Sequence, residues 1–359
     1  MRHRPAPPDM LRWLLVRLGR AAAAAWLIAS LVFIGSRQLP GGPEQLALAD
    51  ASDLSRPVAG ARTAAIEQLA QQAVRNRLGL AAPVFYVTRV ARQWYWHGTA
   101  NQYHRWAVAV LHGSLGRSYR DGQPVTTLLV QAMRYTLPLA AGAAGLALVL
   151  ALALGLYLAR APASWGPRLA FSLLNGVQIT PLFLLALGLL LLLANPDFLN
   201  VLPAEGRAPA AASGGQQLAY WLERAALPLL CLVLAVLPEL TLPLAARLRQ
   251  EASTGYATTA LAKGLPLEQM LRYHALPNAV IPLLTTLTDL LPTLVAGTVV
   301  VEVLFDLPGL GRLLAEAAAA HDYPLVVAGV LLTATARLLG MLLADILYLL
   351  VDPRLRPTA

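Results

Sequence analysis

A polar segment, the polar island, separates two strongly apolar runs in the last part of the chain. Residues 256–282 read YATTALAKGLPLEQMLRYHALPNAVIP. The flanking segments 226–246 and 279–301 are apolar and close to the length of about 20 residues that a membrane-spanning helix requires. A short polar stretch between two such segments predicts a loop at a membrane surface.

The composition of the whole chain is that of a membrane protein. Of its 359 residues, 57% are hydrophobic and only 13% are charged, which is far from the balance of a soluble domain. The single cysteine, Cys231, lies in an apolar run and excludes an intrachain disulfide. The net charge of +9 comes from arginines that flank apolar runs, which indicates lipid headgroups and topology rather than nucleic acid.

The apolar runs predict an all-α, polytopic membrane protein with six transmembrane helices. Period-2 segments of about ten residues, which are typical of a membrane barrel, do not occur in the sequence. The predicted spans are 13–36, 135–159, 169–194, 226–246, 279–301 and 325–351. Prolines inside these spans predict tolerated bends. They are Pro138, Pro181, Pro228, Pro238, Pro243 and Pro292.

The arginine distribution predicts that both termini are cytoplasmic. The arginines at the two ends of the chain are Arg2, Arg4, Arg12, Arg17, Arg20, Arg354 and Arg356. The chain then divides into an N-terminal stub with the first helix (1–36), an extracytoplasmic segment (37–134) and a core of five helices (135–359) with a cytoplasmic loop at 247–278. A cleaved secretory signal ending near "ALA" at 47–49 is the alternative, and the long first apolar run favours an uncleaved helix.

The segment between the first two spans carries a predicted helix near 61–79 and the aromatic stretch WYWHGTANQYHRW (94–106). Its amphipathic rings suit either a membrane interface or a partner surface. His97, His104 and His112 raise the possibility of a metal site. Their spacings of seven and eight residues, with no carboxylate or cysteine nearby, favour surface histidines.

The polar island itself predicts two short helices joined by a tight turn. The first runs from about Tyr256 to Lys263, with Gly264 in the C′ position and Pro266 just beyond. The second runs from about Leu267 to Leu276. Such a rigid projection fits a docking site for another protein, and an inert folded loop would look the same on physical grounds alone.

Residues 256–282 resemble the signature loop, the EAA loop, of ABC importer permeases in the form seen in dipeptide, oligopeptide and nickel permeases. The shared pattern is a tyrosine, then AKGL, then HAL, NA and IP. Further stretches resemble the same family in the same order. They are LPGGPEQ (39–45), GSLGRSYRDGQPV (113–125), VVVEVLFDLPGLGRLLAEAAAAHDYPLVVAGVLL (299–332) and DPR (352–354).

In that family the loop is the coupling helix, which docks on a cytoplasmic ATPase. The resemblance implies coupling roles for Tyr256, Ala260, Ala262, Lys263, Gly264, His274, Ala275, Asn278 and Pro282. For His274 and Asn278, capping and packing of the second short helix is an equally good interpretation.

The resemblance also implies a set of partners in a bacterial or archaeal plasma membrane. These are a second, related permease subunit in a heterodimer, two ABC ATPase subunits, an extracytoplasmic substrate-binding protein and membrane lipid. No cofactor is expected to bind this chain directly. Because the sequence has no G-x-x-x-x-G-K-[ST] phosphate loop, ATP and Mg²⁺ are expected in the partner ATPases.

Four charged residues fall inside predicted spans, where each costs about 2.5–3.5 kcal/mol on insertion scales. They are Glu239, Asp289, Arg337 and Asp345. We expect them to face the helix bundle or a wet pathway. An Asp289–Arg337 ion pair is one hypothesis, and the alternative is that Arg337 snorkels to the membrane surface.

The sequence therefore predicts a non-catalytic subunit that imports a peptide or similar small solute by alternating access. The rival class is an ATPase-independent proton-coupled carrier or a membrane-embedded enzyme that uses Glu239, Asp289 and Asp345 as relay groups. No internal repeat with corresponding broken helices is evident, which favours the importer. Peptide, nickel, glycan and antimicrobial peptide all remain open as substrates.

Overall fold

The structure is a computed structural model of the chain. It describes residues 10–37, 72–73, 75–76, 79–90, 92–161, 164–199, 201, 214–280, 283, 286 and 298–351.

Long apolar helices dominate the described residues. They are α1 (Met10–Ser36), α3 (Val125–Arg160), α6 (Gly214–Ala252) and α10 (Tyr323–Val351). Each contains a stretch long and apolar enough to cross a membrane. They confirm four of the predicted spans, although α3 and α6 begin about three turns before the predicted starts. The described part of the chain is thus that of a mostly helical, polytopic membrane protein.

The predicted span 169–194 is broken in two. Helix α4 (Trp165–Ile179) ends just before Pro181, and α5 (Leu182–Leu189) continues through a wider turn at Leu190–Ala194. The two parts meet at an angle of 113°. Thr180 before the proline is extended, with ψ at 123°, because the proline ring disfavours helical geometry in the preceding residue. Pro181 therefore breaks the predicted span rather than bending it slightly.

The other prolines behave differently. Pro138 lies inside the continuous helix α3, and Pro228, Pro238 and Pro243 lie inside α6. Since a helix tolerates proline where its freed backbone carbonyl finds another partner, these four positions need no break. Pro292 lies outside the described residues.

Two other predicted helices are only partly described, and one predicted stretch is not described at all. Most of the span 279–301, with Pro282 and Asp289, lies outside the described residues, although residues 298–304 are helical. The predicted helix 61–79 is seen only at residues 72–73 and 75–76, which are helical, and at Gly79, where φ is +70°. The candidate cleavage stretch 47–49 also lies outside.

The described residues form two compact units. The larger contains those within 133–312 and those at the two chain ends, and the smaller contains those within 17–132 and 313–338. In the larger unit, an alanine stripe on α3 is fully buried in the same apolar core as the leucines of α6. This stripe comprises Ala143, Ala147 and Ala151. Small residues let helix backbones approach closely, and a Cβ at Gly155 would lie only 2.8 Å from Leu244 Cδ2.

The smaller unit contains a feature that the all-α prediction missed. Strands β1 (Val87–Val90) and β2 (Gln93–Trp96) form an antiparallel hairpin, with Val90 opposite Gln93. Helix α2 (Gln102–Leu111) follows, and the side chain of Asn101 caps it by accepting from the N–H of His104 at 2.7 Å. The fold is therefore mostly helical rather than all-α.

Candidate functional site

The polar island forms two short helices, as predicted. Helix α7 (Gly255–Ala262) begins three residues after α6 ends. Gly264 has φ at +87°. Its N–H donates to the carbonyl of Leu261 at 2.9 Å, and the N–H of Leu265 donates to the carbonyl of Ala260 at 3.2 Å. This pair of bonds is a Schellman cap, which requires a residue that adopts positive φ without strain.

The second helix starts at Pro266, whose extended backbone (ψ 143°) precedes α8 (Leu267–Met270). The helix continues through a wider turn at Leu271–Ala275, and residues 276–280 remain helical. We call residues 253–278 the two-helix loop. It starts later than the predicted boundary at 247, because α6 extends to Ala252.

One side of the two-helix loop is fully apolar and buried. Ala257, Met270, Leu271 and Ala275 are each at most 1% exposed. They belong to the same apolar core as buried residues at the last turns of α3 and α6, such as Leu158 and Leu248. The loop is therefore packed into the helix bundle of the larger unit rather than suspended from it.

The predicted site residues divide between the two sides of the loop. Ala275 is buried and Ala260 is half-buried, so both pack within the unit. The exposed ones are Tyr256, Ala262, Lys263, Gly264, His274 and Asn278. Pro282 lies outside the described residues.

Polar contacts tie the loop to the long helices. The Asn278 amide donates to the Tyr256 hydroxyl at 3.2 Å, and that hydroxyl donates to Glu251 near the end of α6. Asn278 thus makes a positioning contact, consistent with the packing interpretation of this residue. Sequence reasoning missed a second tie, the ion pair between Arg160 at the end of α3 and Glu268 in α8. The available signal was an arginine just after the predicted span 135–159 and an opposite charge in the second predicted short helix.

The predicted intramembrane charges are not brought together among the described residues. Glu239 is half-buried in α6 and Arg337 is exposed on α10. Asp289 and the side chain of Asp345 lie outside what the structure describes. The Asp289–Arg337 pair therefore stays a prediction.

A buried carboxylate that the sequence did not single out lies elsewhere in the larger unit. Glu302 is 1% exposed and accepts the Thr136 hydroxyl at 2.6 Å. It also accepts the backbone N–H groups of Gly311 and Arg312, at 2.7 and 3.1 Å, at the start of α9 (Leu310–Ala319). A carboxylate at the N-terminus of a helix satisfies donors that otherwise have no partner. Glu302 therefore has a structural role in fixing α9.

The three candidate metal ligands have separate partners. His97 is hydrogen-bonded to the Thr88 hydroxyl at 2.7 Å, His104 Nδ1 to the Tyr86 hydroxyl at 3.0 Å, and His112 Nδ1 to the carbonyl of Val108 at 2.7 Å. The described structure thus places each ring in a local hydrogen bond rather than around a shared centre.

Long apolar helices and a packed polar loop define the class as a polytopic membrane protein with a surface element suited to protein contact. Residues 151–357 match the family described as "Binding-protein-dependent transport system inner membrane component". The match covers more than half of the chain, and the protein belongs to this family. It is accordingly a multi-pass inner-membrane permease component of a transport system and not its ATPase.

Full-length relatives agree with this assignment. The chain is 31% identical to a probable D,D-dipeptide transport system permease protein of Escherichia coli K12, over 91% of this chain and 92% of the relative. It is 30% identical to the dipeptide transport system permease protein of the same strain, over 97% and 99%. A putative peptide transport system permease protein of Brucella abortus (strain 2308) is 29% identical, over 97% and 99%. Family membership decides between the importer and the ATPase-independent carrier.

Proposed function

We propose that the protein is a permease subunit of an ATP-driven peptide importer and that its two-helix loop docks on a partner ATPase. One observation carries the proposal: the loop has a buried apolar side that shares a core with α3 and α6, and an exposed side that bears most of the predicted coupling residues.

The buried side explains how movement of the ATPase reaches the membrane helices. Ala257 and Ala275 are fully buried, and closely packed interiors deform little, so a push on the loop moves the adjoining helix ends with it. The Schellman cap at Gly264 fixes the angle between the two short helices. The Arg160–Glu268 ion pair adds a tie to α3.

The exposed side supplies the contact surface. Tyr256, Ala262, Lys263, Gly264 and His274 are open to a partner. Ala260 and Ala275 act instead by packing, and Asn278 acts by orienting the Tyr256 hydroxyl. Pro282, which lies outside the described residues, stays a predicted coupling residue.

The topology that goes with this function has six spans and cytoplasmic termini. The described residues supply four continuous spans and the bent pair α4 and α5, and the segment 279–301 is the sixth. Arginines at both chain ends support the orientation. The proposed division remains 1–36, 37–134 and 135–359, with the two-helix loop on the cytoplasmic side.

The proposed complex contains a second permease subunit, two ATPase subunits that bind ATP and Mg²⁺, and an extracytoplasmic binding protein. Import proceeds by alternating access. The substrate class rests on the relatives, whose names specify dipeptide, D,D-dipeptide or peptide transport. Peptide is therefore preferred over nickel or glycan.

The test is purification of the tagged protein from its native membrane, with Gly264→Pro as the variant and Gly255→Ala as the matched control. Proline has neither positive φ nor the N–H that donates to Leu261, whereas a Cβ at Gly255 meets no atom within 4 Å. We expect ATPases to co-purify with the wild type and the control, and to be lost from Gly264→Pro.

Stimulation of ATP hydrolysis gives the second readout of the same preparations. The wild-type complex should hydrolyse ATP faster when peptide-loaded binding protein is added, and Gly264→Pro should abolish this stimulation. Recovery of ATPases with Gly264→Pro at the wild-type level would refute docking at the loop. Stimulation by another solute but not by peptides would refute the substrate class alone.

A further inference from the structure

We propose that the β1–β2 hairpin and α2 lie against α1 in the outer half of the bilayer and that their exposed arginines reach the anionic lipid headgroups above. We call the described residues within 81–112 the aromatic wing. The proposal does not depend on ATPase docking, because every residue that carries it lies in the smaller unit.

The level of the membrane boundary can be read from Arg37, which follows the candidate span Leu15–Ser36. Its guanidinium donates to the Tyr119 hydroxyl at 3.0 Å and lies 5.7 Å from the ring centre of Tyr323. Tyr323 is the first residue of the candidate span in α10. Arginine and tyrosine are typical anchors at the edge of the hydrocarbon layer. The ends of two spans therefore mark the same boundary.

The aromatic wing contacts α1 below this boundary. The Tyr103 hydroxyl is hydrogen-bonded to Ser30 at 2.9 Å and to the Trp26 indole at 3.2 Å. The Trp106 ring lies 5.3 Å from that of Trp26 and 5.0 Å from that of Phe33.

The rise per residue of α1 gives the depth of these contacts below the boundary at Arg37. Phe33 and Trp26 precede Arg37 by 4 and 11 residues, which is about 6 and 16 Å along the helix axis. Half of the hydrocarbon core is about 15 Å thick. The rings of α2 therefore pack against α1 at the level of lipid chains, where the Tyr103 hydroxyl finds its partners in the protein rather than in water.

Further rings extend sideways from α2 to the hairpin. Tyr103 lies 6.0 Å from Tyr86, and Tyr86 stacks on Trp96 at 5.8 Å. The outer side of this row is open: Trp96 is 73% exposed and Leu111 is 75% exposed. Exposed leucines of α1, among them Leu31 at 62%, provide a lipid-facing surface in the same unit. Large, mainly apolar rings at this depth suit contact with lipid chains.

The charge of the wing matches anionic lipid. Residues 81–112 contain three arginines and no aspartate or glutamate. Arg89, Arg92 and Arg105 are exposed, and the Arg89 guanidinium lies 5.6 Å from the ring centre of Trp94. Long arginine side chains extend from below the bilayer surface to the headgroup level, where they attract anionic headgroups. A water-soluble partner protein would not reach rings packed at the level of lipid chains.

The test uses spin labels in the intact complex, reconstituted in lipid discs of phosphatidylethanolamine and phosphatidylglycerol. Cys231, the single cysteine, is replaced by alanine, and labels are placed in the wing by Tyr95→Cys or Leu111→Cys. Leu31→Cys gives the lipid reference, and Asp121→Cys, in the exposed turn after Tyr119, gives the water reference. Collision with oxygen is compared with collision with a water-soluble nickel chelate.

We expect both wing labels to match Leu31→Cys in favouring oxygen. Wing labels that match Asp121→Cys would overturn the proposal. Labels that are open to the nickel chelate until binding protein is added, and are protected afterwards, would overturn it in favour of a protein partner.

A second experiment tests whether the wing prefers anionic headgroups. Replacing phosphatidylglycerol by phosphatidylcholine should raise the nickel accessibility at Tyr95→Cys, and Arg89→Gln with Arg92→Gln should do so in phosphatidylglycerol discs. Arg120→Gln, whose guanidinium already faces Asp121 and Glu316 at 3.9 Å, is the matched control and should have no effect. Equal accessibility in both lipids would overturn the binding of anionic headgroups.

Discussion

The two-helix loop and the aromatic wing are both polar interruptions in an apolar chain, yet different interactions stabilise them. The loop is fixed by a backbone cap at Gly264 and by small buried residues such as Ala275. The wing is fixed by rings and side-chain hydrogen bonds between residues far apart in sequence, such as Tyr103 and Trp26. The loop is therefore suited to transmit movement as a rigid body, and the wing to lie against α1.

The largest expected effect concerns the smaller unit. Asp322 is 2% exposed and accepts the Ser118 hydroxyl at 2.5 Å and the N–H of Tyr119 at 3.0 Å. Asp322→Ala leaves both donors without this acceptor and should cost about 3 kcal/mol. Thermal unfolding in detergent measures the loss, and Asp121→Ala, at an exposed acid, is the control. A melting temperature equal to that of the control would show that side-chain bonds do not hold this unit.

The next effect separates the two sides of the loop. Ala275→Leu overpacks a fully buried position and should cost about 1–3 kcal/mol. Ala262→Leu changes an exposed position and should leave the melting temperature unchanged while weakening ATPase co-purification. The comparison fails if Ala262→Leu lowers the melting temperature as much as Ala275→Leu does.

A smaller effect is expected at the cap of α7. Gly264→Ala places a side chain at φ +87°, which costs about 1–2 kcal/mol. The loop should still form, with reduced ATPase co-purification and slower ATP hydrolysis. Gly264→Asn should retain more activity, since asparagine tolerates positive φ better than alanine does. Equal activity of the two variants would show that the positive φ of the cap does not affect coupling to the ATPase.

The smallest effect tests the contact between the wing and α1. Tyr103→Phe removes the hydroxyl bonded to Ser30 and Trp26 and should cost about 0.6 kcal/mol for each lost bond, the average for hydrogen bonds within membranes. The melting temperature should fall slightly and ATPase co-purification should not change. A loss of ATPase binding would contradict the separate roles of the two regions.

The same difference explains what the sequence could predict. Gly264 and Pro266 are local signals, so both helices of the loop could be placed to within a residue of their starts. The hairpin has no such signal: between Val90 and Gln93 it contains Arg92 at φ +69°, and its sequence lacks the Asn-Gly that usually marks such turns. Long-range ring contacts stabilise it, and periodicity cannot reveal them.

The long helices likewise show that local signals are predictable from the sequence and long-range packing is not. Apolar length predicts α1 and α10 well, because a bilayer sets that length. Pro181 breaks its span, whereas Pro138 lies inside a continuous helix. The sequence does not separate the two cases, because tolerance of a proline depends on whether neighbouring groups satisfy the freed carbonyls. Among the coupling residues, the sequence could name Ala262 and Ala275 together, but only packing shows that one is exposed and the other buried.

Cross-linking from the two-helix loop to the ATPase is the sharpest test of docking. In a Cys231→Ala background, Ala262→Cys on the loop and Thr99→Cys after the hairpin, both exposed positions, are treated with a short bifunctional thiol-to-amine reagent in the active complex. If the ATPase docks on the two-helix loop, Ala262→Cys should give an ATPase conjugate and Thr99→Cys should give none. An active complex that yields no ATPase conjugate at Ala262→Cys, or yields it equally at both positions, would contradict docking at the two-helix loop.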